Sequence, residues 1–402
     1  MKRTVDDLAW FGGPPAFAQP MVVGRPNTGD RARLYKRLDG ALDSGWLTHC
    51  GPLVREFEQQ VAEVAGVRHC VATCNATIAL SLLVQAAGLT GEVIMPAMTY
   101  VATPHSMRYP GLRPVFCDID PVTGCIDPDQ VEALVTARTS AIIGVHLWGQ
   151  ACDVPRLAEI ARRRGLALFF DAAQGVGCTF GDRPIGGFGQ AEVFSFHATK
   201  VVNAFEGGAV VTDDDDFAER VRAAHNFGRR ADGGIGSVGT NAKMTEGSAA
   251  MGLTSLEALP ESVAQNRVRY DMYRAALADI PGIEVHRYDE RHRNNHQYLV
   301  VKVDAAVTGL HRDALLDLLV AENVMAQCYF SPGCHQLEPY VTESPVSLPM
   351  TERLAGQVLA LPTGPSVSGA DVSAIADLIR FAVRQGPLVQ SRTTRTLVTA
   401  VG

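Results

Sequence analysis

Short apolar runs and amphipathic stretches take turns along most of the chain. Between Pro52 and Gly66, Val54, Phe57, Val61 and Val64 or Ala65 recur at three- and four-residue spacing. That spacing predicts a helix with one apolar stripe, stopped by the glycine. Leu34, Leu38 and Leu42 draw a similar face over residues 30–44. Other apolar runs have the length of buried strands: 70–73, 93–95, 115–118, 141–146, 166–171, 193–196 and 207–212. They alternate with helical patterns, among them Leu80, Leu83, Val84 and Ala87, then 129–136 and 154–164. This order predicts right-handed crossovers and a largely parallel sheet. Helices over 246–259 and 261–278 lead away from it, and a second alternation follows. There 297–303 and 325–329 read as strands, and 312–322 and 371–385 as helices.

The pattern divides the chain into a Gly/Pro-rich N-terminal arm (1–30), a large domain (31–260), a smaller C-terminal α+β domain (261–390) and a Thr/Arg-rich tail (391–402) expected to be disordered. Residues 230–243 are also glycine-rich, which inside a compact domain predicts a functional loop or an inter-subunit arm.

Composition narrows the class. The 402 residues are 47% hydrophobic and 20% charged, as in ordinary globular enzymes, and the net charge of -7 gives no support for nucleic-acid binding. Nine cysteines are scattered without metal-ligand spacing, so free thiols in a reducing cytoplasm are expected rather than disulfides or zinc. No apolar run reaches the roughly 18 residues of a membrane span, and no membrane association is expected. The run Asp213–Asp216 lacks calcium-loop spacing and reads as a helix start, so no metal is expected.

Candidate chemistry gathers at strand ends. The run 166–170 ends in Asp171-Ala172-Ala173-Gln174, and Val193-Phe194-Ser195-Phe196 ends in His197-Ala198-Thr199-Lys200. Open α/β sheets bind ligands at such ends. If both strands share a sheet, a carboxylate and an amine face one crevice, the pair pyridoxal phosphate requires: a lysine for its aldehyde and an acid for its pyridine nitrogen. The plainer reading makes Lys200 a surface lysine and Asp171 a helix cap. Asn75-Ala76-Thr77, between a strand and a helix, reads either as a phosphate site or as an N-cap. Tyr100 reads as a stacking aromatic or as core, and His146 and Trp148 stay equally open.

Taken in order, Asn75–Thr77, Met98–Thr103, Asp171–Gln174, Ser195–Lys200 and Gly239–Met244 resemble the sugar aminotransferases of the DegT/DnrJ/EryC1/StrS family. The resemblance implies a fold-type-I pyridoxal-phosphate transferase, a homodimer with its active sites at the subunit interface and the cofactor cycling through pyridoxamine phosphate. It implies Lys200 as the Schiff-base lysine, Asp171 as partner of the ring nitrogen, and Gln174 at the ring hydroxyl. Tyr100 would stack on the ring, Ala76, Thr77 and Ser195 would hold the phosphate, and Asn241 would reach it from the partner subunit. Phe11–Pro14, Gly45–Leu47, Asn294–Tyr298 and Tyr329–His335 resemble the 4-aminotransferases of desosamine-type deoxysugar pathways, apart from Gln174, where a histidine is typical. The implied substrates are a dTDP-4-keto-6-deoxyhexose and glutamate, with Thr48, His296, Tyr329 and Phe330 as implied substrate contacts. A C-3 keto-sugar or cyclitol aminotransferase would share every catalytic residue. Lys200 speaks against a related dehydratase, which has histidine there. A non-enzymatic regulator of this fold would add a basic DNA-binding module, and neither end shows one.

Overall fold

The computed structural model describes residues 2–230 and 232–392. Its strands, in chain order, are β1 (Met21–Val22), β2 (His69–Thr73), β3 (Glu92–Pro96), β4 (Arg113–Cys117), β5 (Thr139–Val145), β6 (Ala167–Asp171), β7 (Thr179–Phe180), β8 (Arg183–Pro184), β9 (Ala191–Ser195), β10 (Gly208–Thr212), β11 (Ile283–Val285), β12 (Leu299–Val303), β13 (Val324–Met325) and β14 (Val358–Leu361).

Seven of these form one sheet in the order β2-β10-β9-β6-β5-β3-β4. From β9 to β4 every pairing is parallel, whereas β10 runs antiparallel to both β2 and β9. The expected α/β architecture is therefore present, with one reversed strand. β3, β9 and β10 are buried along their whole length, as strands covered on both faces must be, which explains their near-continuous apolar runs. Because β10 is reversed, its first residue, Gly208, lies beside Ser195 and Thr73, the last residues of its neighbours. A Cβ on Gly208 would stand 2.5 Å from the backbone nitrogen of Ala76, so the absent side chain lets the strand approach the start of the helix Ala76–Ala86.

The helix Pro52–Ala65 buries Val54, Phe57, Val61 and Ala65, the face its spacing predicts. Phe57 is wholly buried and meets Phe196 edge-on at 4.9 Å, a contact set contributing about 2–3 kcal/mol. The helix starts at Gly51, which has no capping side chain, and Glu246 serves from outside by accepting from the amides of Leu53 and Val54.

β11, β12 and β14 form a separate antiparallel sheet. The helices Leu259–Leu277 and Gly369–Arg384 pack together beside it. Two sequence expectations change here. The strand expected over 325–329 shrinks to β13, which pairs in parallel with β1 of the N-terminal arm. After it the chain bends away, with only Gln327 bridging to Ala360, so Tyr329 and Phe330 leave the sheet. The arm itself is less extended than expected. It makes two 3₁₀ turns, Val5–Asp7 and Ala9–Phe11, and buries Val5 and Leu8. Of the tail, residues 391–392 continue a helical turn, and the rest lies outside the described residues. Among the described residues no helix is long and apolar enough to cross a membrane.

Candidate active site

The carboxyl ends of β2, β3, β5, β6 and β9 open onto one cavity of about 760 Å³. Ala76, Thr77, Tyr100, Asp171, Gln174, Ser195 and Lys200 all line it. Residues far apart in sequence meet here because parallel strands deliver their last residues to the same edge. Lys200 also borders a smaller cleft of about 460 Å³ beside residues 25–30. The larger cavity is the one in which Lys200 faces Asp171 and the start of the helix Ala76–Ala86.

Asp171 is the last residue of β6 and is buried. One carboxylate oxygen, Oδ2, accepts from Thr103 Oγ1 at 2.8 Å and the other, Oδ1, from the Ala173 amide at 3.0 Å. Among the described residues it has no cationic side-chain partner, so a protonated ring nitrogen would complete its surroundings.

Lys200 sits on a loop pinned at both ends. Phe196 donates its amide to Gly207 and accepts one from Ala204, and its ring is held in the core by Phe57. Lys200 Nζ donates to Tyr298 Oη at 3.2 Å. Gln297 adds a bond from Nε2 to the Thr199 carbonyl at 2.8 Å, so the segment preceding β12 braces the lysine loop.

Asn75 caps the helix Ala76–Ala86 by accepting from Ile78, and the amides of Ala76 and Thr77 make no hydrogen bond among the described residues. The N-cap reading holds, and the cap leaves N–H groups free at the helix start, which is the chemistry an anion site requires. Gln174 Oε1 accepts from the Trp148 amide at 2.5 Å. A backbone N–H can only donate, so the Gln174 amino group is the end left for a ligand's oxygen. Trp148, held with φ of 55°, gives its indole N–H to the Tyr329 carbonyl at 3.0 Å and fixes that wall.

Tyr329 and Phe330 line the cavity, and the Phe330 ring lies 6.0 Å from that of Tyr100. Burial raises the Tyr329 hydroxyl above the ordinary tyrosine range. Thr48 and His296 do not line this cavity. His296 is packed between Tyr270 and Tyr288, where burial lowers its pKa to about 4. His296 has a φ of 49°, and two residues on, Tyr298 meets the lysine. Asn241 lies on the exposed glycine-rich arm, bridged to Asn226, and does not line the cavity of its own chain. Thr103, Tyr298 and His146 are site residues to which the sequence assigned no role; the signal for Thr103 was its place in the Met98–Thr103 motif, four residues after Thr99 at a helix start.

The family model for "DegT/DnrJ/EryC1/StrS aminotransferase family" matches residues 29–380. The chain belongs to this family. It is 35% identical over 364 residues to a dTDP-4-amino-4,6-dideoxy-D-glucose transaminase of Shigella dysenteriae, covering 90% of this chain and 99% of that one. It is equally 35% identical over 355 residues to a GDP-perosamine synthase of Caulobacter vibrioides, covering 84% and 94%. Among solved structures, DesI in the presence of its TDP-sugar product superposes with a TM-score of 0.95 at 59% identity, covering 97% of this chain and all of that one. The protein is a pyridoxal-phosphate-dependent aminotransferase, and its buried carboxylate, lysine and free helix N-terminus fit that cofactor.

Proposed function

We propose that this aminotransferase moves an amino group from glutamate to C-4 of a dTDP-4-keto-6-deoxyhexose, giving a dTDP-4-amino-4,6-dideoxy sugar for secondary-metabolite glycosylation. The 59% identity to DesI across nearly the whole chain is the observation that carries this reading. When bound, the cofactor supplies an aldehyde for amines and a pyridinium ring that accepts electrons. Lys200 is the base and acid that moves a proton at the substrate carbon, and Tyr298 accepts a hydrogen bond from its Nζ when the amine is free. Asp171 keeps the ring nitrogen protonated, and the Gln174 amino group contacts the ring hydroxyl. The free amides of Ala76 and Thr77, with Ser195, hold the phosphate, and Tyr100 covers the ring. Tyr329 and Phe330 form the sugar side of the pocket.

The reading includes a homodimer in which the partner supplies its own copy of Asn241 to this phosphate. Apolar side chains stand exposed at Trp46, Leu47, Phe205 and Phe227 and along the glycine-rich arm at Ile235 and Val238, the last 82% exposed. A second copy covering them accounts for surface a lone chain would leave wet. The nine free cysteines support work in a reducing cytoplasm.

Incubation with dTDP-4-keto-6-deoxyglucose and glutamate, followed by NMR of the product, tests the reaction. The expected product carries its amine at C-4. An amine at C-3, or turnover only with a GDP-linked sugar or an inosose, overturns the assignment.

A further inference from the structure

Behind Asp171 lies a line of buried hydroxyls. Thr99 Oγ1 is 2.8 Å from Thr103 Oγ1, which is 2.8 Å from Asp171 Oδ2. Thr103 is wholly buried, and Thr99, nearly so, touches the cavity only at its edge. An ionised carboxylate only accepts, so the Thr103 hydroxyl proton must point at Asp171. Its oxygen is then free to accept from Thr99, and every proton in the line runs toward the carboxylate. The backbone sets this up: Thr99 ends the turn after β3, and Thr103 lies in the first turn of the helix Ala102–Arg108, with its amide bonded to the Tyr100 carbonyl.

We propose that Thr103, oriented by Thr99, is a positioning residue that keeps Asp171 a weak base, so that the shared proton stays on the cofactor's ring nitrogen. This inference rests on Asp171 being the partner of that nitrogen. Two donors, Thr103 Oγ1 and the Ala173 amide, spread the carboxylate's charge. Hydrogen bonds to the charged form favour it over the protonated form. With one donor gone, the carboxylate becomes the better proton acceptor and draws the proton from the ring. The ring then accepts electrons less readily.

The test is the enzyme reconstituted with ¹⁵N-labelled pyridoxal phosphate, in wild type, Thr103→Val, Thr103→Ser, Thr99→Val and Asp171→Asn. Thr103→Val keeps shape and loses the donor, whereas Thr103→Ser keeps the donor. The ring-nitrogen shift of Thr103→Val should move toward the unprotonated value, and affinity of the apoprotein for cofactor should fall by about tenfold to a hundredfold. Thr103→Ser should restore both readouts, and Thr99→Val should move them the same way by less. If Thr103→Val leaves the shift at its wild-type value, or Thr103→Ser behaves like Thr103→Val, the role of Thr103 is overturned. If the wild-type nitrogen is already unprotonated, or Asp171→Asn leaves its shift unchanged, the role of Asp171 falls and the inference with it. Thr99→Val also covers the case in which Thr103→Val does not fold.

Discussion

Two charged side chains carry the proposed chemistry, and their substitutions have separable signatures. Lys200→Ala should abolish transfer and the borohydride-reducible link of the cofactor to protein, because the amine of Lys200 is the only lysine nitrogen lining the cavity among the described residues. Asp171→Asn keeps shape and loses charge. Cofactor should still bind while proton transfer slows by a few powers of ten, each corresponding to about 1.4 kcal/mol of lost transition-state stabilisation. Single-turnover rates beside cofactor titrations check this, and a variant that binds poorly but turns over normally when saturated would remove Asp171 from the chemistry. Two buried histidines make a pH prediction. Burial lowers His286 to about 3 and His296 to about 4, from an ordinary 6.5. Below 6.5 the unfolded chain takes up protons that the folded chain refuses, so stability falls as pH drops from 6.5 toward 4. Urea midpoints measured across that window should show a shallower fall for His286→Phe and for His296→Phe than for wild type.

At the level of elements, the N-terminal arm is held by one carboxylate. Glu322, whose side chain is fully buried, accepts from the amides of Ala9 and Ala16 and pairs with Lys2 at 2.9 Å. Removing it orphans both amides and takes the anionic partner from Lys2, which keeps the Asp7 and Pro14 carbonyls. Glu322→Ala should therefore cost about 3 kcal/mol and expose residues 2–20 to proteolysis, with smaller loss in Glu322→Gln. Unchanged protease resistance would show that β1 pairing with β13 and the burial of Leu8 suffice. The same logic of capping from a distance recurs where Glu246 closes Pro52–Ala65 and where Asp118 accepts from Met350 and Thr351 at the start of Pro349–Ala355. The local cap Asn75 was legible from its neighbours in sequence, whereas the helix expected from 371 begins at Gly369, behind its Ser368 cap. A cap supplied from another element leaves no mark beside the helix it serves.

For the whole molecule, the proposed sharing of Asn241 between subunits has a direct test. Lys200→Ala and Asn241→Ala subunits, each inactive alone, should recover activity when mixed and allowed to exchange, because one site of the heterodimer then keeps both residues. Failure of two folded, exchanging variants to complement would assign both residues to the same chain. What the amino-acid order determined by itself was local: the helical stripes, the apolar strand runs, and the placing of Asp171 and Lys200 just beyond two of them. Periodicity of three to four or of two residues is a property of neighbours, so it can be read without the fold. Tertiary structure decided which strands lie side by side, that β10 runs backwards, and that 327–330 leaves its sheet to wall the cavity. It also turned His296 into the core, brought Tyr298 to Lys200 and set Thr103 against Asp171. The last two contacts join residues 98 and 68 positions apart, and a hydrogen bond across such a distance exists only once strand order and crossovers have fixed both ends.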